Sequence, residues 1–348
     1  MTQLRRFALP LILLLSSPAI SHAQGYKHIV VFGDSLSDTG NDAHLANAAY
    51  GFYFPGPIFD YTAGRFTDGY DTVPAAQNYK GVWVEQLATM FPHKPAVIDS
   101  LDGGQDYAYG FAFTGGGKTV FDFSVYVITI DNVDLQITHY LATNPKIDDK
   151  TLFVVWAGAN DVLNATSTTD IVNAGINQAA DVERLISAGA TQIMVPNLPP
   201  LGAIPRLNTL GPISTEVTQL SELYNGTLAS GLKIVRDANS GKHLRIYPVD
   251  IFALFNNIIA SPTSYGLADV TDSSQGNYTV NPDSFLFWDG LHPTTHGHNI
   301  VAVTADEMIK RHQCLADPKN PDGWDHGRGD VGTDAEWGCL LGNGDHGQ

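Results

Sequence analysis

Two short segments of this chain hold residues of the right kind for covalent catalysis. Gly33-Asp34-Ser35 sets a serine on a glycine turn directly after an apolar run, residues 28–32. A serine hydroxyl is a weak nucleophile at neutral pH and needs a base beside it. The best source of one is Asp289-Gly290-Leu291-His292-Pro293, an acid and an imidazole on one glycine-containing loop. The carboxylate of Asp289 can hold the Nδ1–H of His292 and leave Nε2 to take the Ser35 proton. Pro293 biases His292 away from helical geometry, which places it on a loop ahead of the last helix. The chemistry this predicts is attack of Ser35 on an acyl carbonyl.

Such an attack builds negative charge on the carbonyl oxygen, and donors must meet it. Two stretches offer them. Phe113-Thr114-Gly115-Gly116-Gly117 presents backbone N–H groups with no side chains in the way, and Gly158-Ala159-Asn160-Asp161 presents a side-chain amide just after an apolar run ending at Trp156.

The elements that must position these residues are legible as alternating patterns. Residues 28–32, 151–156, 190–196 and 244–249 are short apolar, β-branched runs without polar alternation, as strands of a parallel sheet covered on both faces should be. Between them Val172, Ile176, Ala179, Val182 and Ile186 recur at helical spacing, with Asp170 as N-cap and Gly189 as stop. Val217, Leu220, Tyr224, Leu228, Leu232 and Val235 repeat the pattern, and Thr295 caps a last helix to about residue 312. Strand and helix in alternation predict an α/β fold, a doubly wound and mostly parallel sheet sandwiched by helices, flavodoxin-like in outline. In such sheets ligands bind beyond the carboxyl ends of the strands, where Ser35 falls. Residues 41–79 read as an aromatic-rich loop, either a lid or a packed surface insertion.

Taken in order, Gly-Asp-Ser-Leu at 33–36, the glycine block, Gly-x-Asn-Asp at 158–161 and Asp-x-x-His at 289–292 resemble the GDSL (SGNH) hydrolases. Gly64-Arg65-Phe66-Thr67-Asp68-Gly69 and Val195-Pro196-Asn197-Leu198-Pro199-Pro200-Leu201-Gly202 are similar to further segments of that family, and the resemblance spans about residues 28–312. It implies an esterase or lipase with Ser35 as nucleophile, His292 as base and Asp289 as its orienter. The oxyanion donors it implies are the Ser35 N–H, the Gly115 N–H and the Asn160 side chain. The family has Asn where Gly110 stands, and Thr114 replaces the first glycine of its usual pair, so Gly115 follows by register and Gly116 is the alternative. No cofactor and no metal are implied.

Composition bounds the rest. Arg5 and Arg6, an apolar stretch over 9–15 and Ser21-His22-Ala23 predict a secretory signal peptide over 1–23, hence a periplasmic or extracellular protein. The hydrolase domain is then 24–313, with a Gly- and Asp-rich tail over 314–348 in which Cys314 and Cys339 are expected to pair. The net charge is −17, and removing the leader with its two arginines makes it −19. Such a surface repels nucleic acid and anionic membranes, and no second apolar stretch is long enough to span a bilayer. The charge identifies no substrate; the resemblance implies small-molecule, lipid or acylated-carbohydrate esters as partners.

Three rival readings compete with this one. Residues 112–119 fit a loosened P-loop, but residues 120–127 are β-branched and aromatic rather than a helix start. Asp289, His292, His296 and His298 have the composition of a metal site, yet histidines two apart on a helix point about 200° apart. An inactive carbohydrate- or lipid-binding module of the same fold is the third, set against a complete set of catalytic residue types.

Overall fold

A computed structural model describes residues 25–68, 79–122 and 127–315. The leader, residues 316–348 of the tail and the Cys314–Cys339 pairing lie outside the described residues, and the last helix runs two residues past the expected boundary at 313. The core is a four-stranded parallel sheet of β1 (His28–Gly33), β4 (Thr151–Trp156), β5 (Gln192–Pro196) and β6 (Arg245–Val249), in the order β1-β4-β5-β6. Every residue of β4 is buried, which requires cover on both faces.

Residues 105–109 run along the free edge of β1. Val31 N donates to Gln105 O, Tyr107 N to Val31 O and Tyr109 N to Gly33 O. The chain thus leaves β1, returns along one of its edges, and then crosses to pair β4 on the other. That reversal opens a crevice beyond the carboxyl ends of β1 and β4, where such sheets bind ligands.

Helices fill the crossovers. α1 (Asn41–Tyr50), α2 (Trp83–Met90) and an antiparallel hairpin of β2 (Lys118–Asp122) and β3 (Val127–Asp131) lie between β1 and α3 (Val133–Thr143). The short α4 (Ala159–Asn164) and long α5 (Thr168–Ser187) follow β4, and α6 (Pro212–Ala238) follows β5. α7 (Ile251–Ala260), the parallel pair β7 (Asp269–Ser273) and β8 (Phe285–Phe287), and α8 (Thr295–Leu315) complete the fold. α5 packs on α6 and α3, and α2 packs on α8. Phe32, Phe153, Met194 and Tyr247 are central to the core between these layers.

Several local expectations are corrected. The segment expected to be an irregular loop contains α1, because the Asp38 carboxylate accepts the N–H groups of Gly40, Asn41 and Asp42 and so caps a helix with no apolar periodicity. Asp170 is not the N-cap of α5. Ser167 is, and Asp170 closes the capping box three residues on. Thr294 rather than Thr295 caps α8, its hydroxyl accepting from Gly297 N. The buried face of α5 carries Ile171, Gln178 and Asp181 while Ile176 is exposed, since Gln178 accepts from Ala157 N and Tyr224 Oη. As the sequence led one to expect, the glycine block leads into β2 rather than into a helix.

Candidate active site

Ser35 stands on the tight turn that follows β1. Ser37 N and Asp38 N both donate to the Asp34 carbonyl, and Leu36 N donates to the Asp34 carboxylate. The turn starts at Gly33, where a Cβ would come 2.5 Å from the carbonyl oxygen of Trp156, so no larger residue fits between β1 and β4. Gln136 of α3 grips the same glycine from the side, accepting from Gly33 N at 2.9 Å and donating to Gly33 O at 2.9 Å. Trp83 Nε1 of α2 donates to Ser37 Oγ. Elements on both sides of β1 therefore hold the serine turn.

The partner loop lies between β8 and α8. Trp288 N donates to His292 O, and both Leu291 N and His292 N donate to Asp289 Oδ1, which curls 289–292 into a compact turn. His292 Nδ1 then lies 2.7 Å from Asp289 Oδ2, and His292 Nε2 lies 2.8 Å from Ser35 Oγ. Ser35, Asp289 and His292 are each 7% exposed. Residues 257 positions apart in sequence thus form one hydrogen-bonded chain from hydroxyl to carboxylate.

Asn160 opens α4 directly beyond β4. Its Nδ2 donates to Ala112 O at 3.0 Å, which fixes the amide and leaves one N–H unused. Its neighbour Asp161 accepts from Thr114 N and Oγ1, tying the glycine-block segment down at a second point. Ser35, Asn160 and His292 line one recess, whose remaining wall is almost wholly apolar. Among the described residues Ser35 N has no acceptor. Gly115 does not line this recess. Its carbonyl accepts from Asn132, and a Cβ on it would meet Asn177 Nδ2 at 2.8 Å. The backbone that Asn160 holds is at Ala112, three residues earlier, and Phe111 there has a left-handed φ of 65°.

A family model for the GDSL-like lipases and acylhydrolases matches residues 29–303, which includes every residue of this arrangement. The chain belongs to that family. It is a carboxylic ester hydrolase of the GDSL type with the SGNH form of α/β fold. Similar proteins include GDSL esterase/lipase 6 of Arabidopsis thaliana, 24% identical over 86% of this chain and 92% of the relative. The phosphatidylcholine-sterol acyltransferase of Aeromonas hydrophila is 27% identical over 85% of this chain and 94% of its own length. Among solved structures, an inhibitor-bound aryl esterase of M. smegmatis aligns with TM-score 0.41 at 16% identity, covering 81% of this chain and 98% of that one.

The electrostatics of this GDSL hydrolase site are set by burial and by paired donors. Burial pushes the Asp289 carboxyl up, but His292 and the Tyr61 hydroxyl outweigh it and hold the group well below the usual carboxylate range. Burial pushes Asp34 up to about 7 against the Leu36 N–H and His292. It lifts Asp161 to about 6 against Thr114.

Tyr61 is the residue that sequence reasoning did not single out. Its hydroxyl donates to Asp289 Oδ2 at 2.6 Å, the same oxygen that faces His292. Its only signal in the sequence was membership of the aromatic-rich segment. Phe66 of that segment lies against the His292 ring with centroids 5.1 Å apart. The other two histidines have packing partners. His298 is buried and its Nδ1 accepts from Trp83 N, and His296 Nδ1 donates to Asp283 O.

Proposed function

We propose that the protein is an exported serine esterase acting through an acyl-enzyme. The observation that carries this reading is the continuous chain Ser35–His292–Asp289, at 2.8 and 2.7 Å, bordered by the Asn160 amide. His292 takes the Ser35 proton as Oγ attacks the ester carbonyl, and the imidazolium is stabilised by Asp289. The Ser35 N–H and the free N–H of Asn160 receive the oxyanion. Collapse of the tetrahedral species expels the alcohol, protonated by His292, and the same base then activates water to release the acid. Gly115, the third donor expected from the sequence, stands outside the recess, so the reading rests on the two donors that border it.

The substrate is a small-molecule, lipid or acylated-carbohydrate ester, and an intact Ser–His–Asp chain supports turnover over an inactive binding module. Ser35→Ala should abolish hydrolysis of p-nitrophenyl esters while the protein stays folded, and a fluorophosphonate should label wild type at Ser35. Asn160→Ala should lower kcat by roughly 10²–10³ with little change in KM. An active Ser35→Ala protein, or labelling at another serine, sinks the assignment. Export rests on the predicted leader, and N-terminal sequencing of protein recovered outside the cytoplasm should begin at Gln24. A chain still starting at Met1 would remove that part of the proposal.

A further inference from the structure

The two sides of the Ser35–His292 pair differ. On one side is the recess, floored by Trp156, Ala159, Leu201, Ile204, Phe255 and Phe287. The five large side chains among these are each no more than 4% exposed, so the floor belongs to the packed core and cannot swing aside. Only about 30 Å³ of space remains inside. A water-sized group needs about 10–15 Å³ of such space, so on the order of two fit. On the other side the His292 ring is backed by Phe66, and the aromatic segment continues outward through Phe54 and Phe59 to the exposed Tyr53 and Ile58.

Ester hydrolysis makes unequal demands on the two ends of its substrate. The acyl group stays bonded to the serine after the first half-reaction, so a closed pocket suits it. The alcohol must leave past His292, which protonates it, and water must then come to the same nitrogen. A closed apolar floor offers neither an exit nor a path for water. Taking Ser35 as the nucleophile, as proposed above, we infer that this recess is the acyl site and admits only short straight acyl chains, of two to about four carbons. The alcohol then lies over the aromatic side, where among the described residues no recess of this kind encloses it.

The residues that set the limit are those of the floor. Phe255 on α7 and Ile204 on the loop after β5 both line it, as does Ala159 on α4, the residue before Asn160. Shortening the first two lengthens the pocket, and enlarging the third shortens it, because a packed interior transmits a change of even one methylene.

The test is a matrix of kcat/KM values on purified protein. One series varies the acyl chain from acetate to decanoate on p-nitrophenol, and the other varies the alcohol on a fixed acetyl group. Wild type should lose at least ten-fold between butyrate and octanoate. Phe255→Ala, and independently Ile204→Ala should the larger deletion fail to fold, should raise the octanoate-to-acetate ratio ten-fold or more. Ala159→Val should lower butyrate relative to acetate. Wild type that prefers octanoate, or floor variants that shift the alcohol series and leave the acyl series alone, would overturn the acyl assignment. A small fluorophosphonate separates the two claims. Labelling at Ser35 with the wrong chain-length profile refutes only the pocket, whereas no labelling at Ser35 refutes the nucleophile itself.

Discussion

At the scale of single residues, the Asp289 carboxylate matters as much to the proposed mechanism as Ser35 does. It accepts four hydrogen bonds: two backbone N–H groups on Oδ1, and His292 Nδ1 and the Tyr61 hydroxyl on Oδ2. Each one fixes its orientation, and Tyr61 also draws electron density from the oxygen that faces the imidazole. Tyr61→Phe keeps the ring and its contact with Phe66, whose centroid is 6.1 Å away, but deletes the donor. Asp289 then keeps three of its four hydrogen bonds and is held less firmly against His292. The expected result is a kcat lower by roughly three- to ten-fold from looser orientation, with KM little changed. A purely packing role would leave kcat where it is, because the ring is kept. The relay itself was legible because serine, histidine and acid types sat in telling local contexts. Tyr61 was not, since a tyrosine in a run of aromatics has nothing local to mark it, and only folding of 41–66 over the 289–292 turn brings it there.

At the scale of elements, the turn after β1 depends on a side chain from another helix. Gln136, 1% exposed on α3, takes the Gly33 N–H, and Gly33 is two residues from Ser35. Gln136→Leu is nearly isosteric and leaves that N–H buried without its acceptor. The expected cost is about 1–3 kcal/mol, seen as a Tm lower by several degrees together with a reduced kcat. Unchanged Tm and kcat would show the clamp to be dispensable. The four strands of the central sheet were read well because a fully buried strand declares itself by an unbroken β-branched run, whereas the partly buried β2 and β7 and their partners β3 and β8 were not assigned. Helix starts were read less well. Asp170 and Thr295 have cap-forming side chains, but capping depends on which oxygen meets which N–H, and in the fold those oxygens belong to Ser167 and Thr294. α1 escaped notice because its cap, Asp38, lies outside a helix without an apolar stripe.

At the scale of the whole molecule, the acidic surface conceals a set of buried acids with raised proton affinity. Burial pushes Asp34 and Asp181 up to about 7, and Asp38 and Asp161 to about 6. In the unfolded chain all four titrate near the ordinary value of about 4. The native state therefore binds more protons than the unfolded one between about pH 4 and 7, and stability falls as pH rises through that window. Asp289 acts in the opposite sense, but its contribution is complete above the unfolded value and is lost only in stronger acid. Buried His298, pushed down to about 3, also opposes the trend below about pH 6.5, but one group does not offset four carboxyls. Tm should accordingly be higher at pH 5 than at pH 8, and Asp34→Asn should flatten part of the slope. A Tm that is level or rises over that range would show these carboxyls to ionise freely in the fold.

What the sequence by itself determined was whatever depends on near neighbours along the chain. Buried strands, a serine on a glycine turn, an acid within one loop turn of a histidine and an amide after a strand are local patterns, and 28–35, 151–161 and 289–292 carry them whole. Only the tertiary structure decided what depends on which residues meet from afar. It joined Ser35 to His292, set Tyr61 on Asp289, tied Asn160 to Ala112 and left Gly115 outside the recess. The physical reason is range. Propensity and periodicity act over one or two turns, whereas a hydrogen bond or a pocket wall is set by the packing of elements that the sequence places tens to hundreds of residues apart.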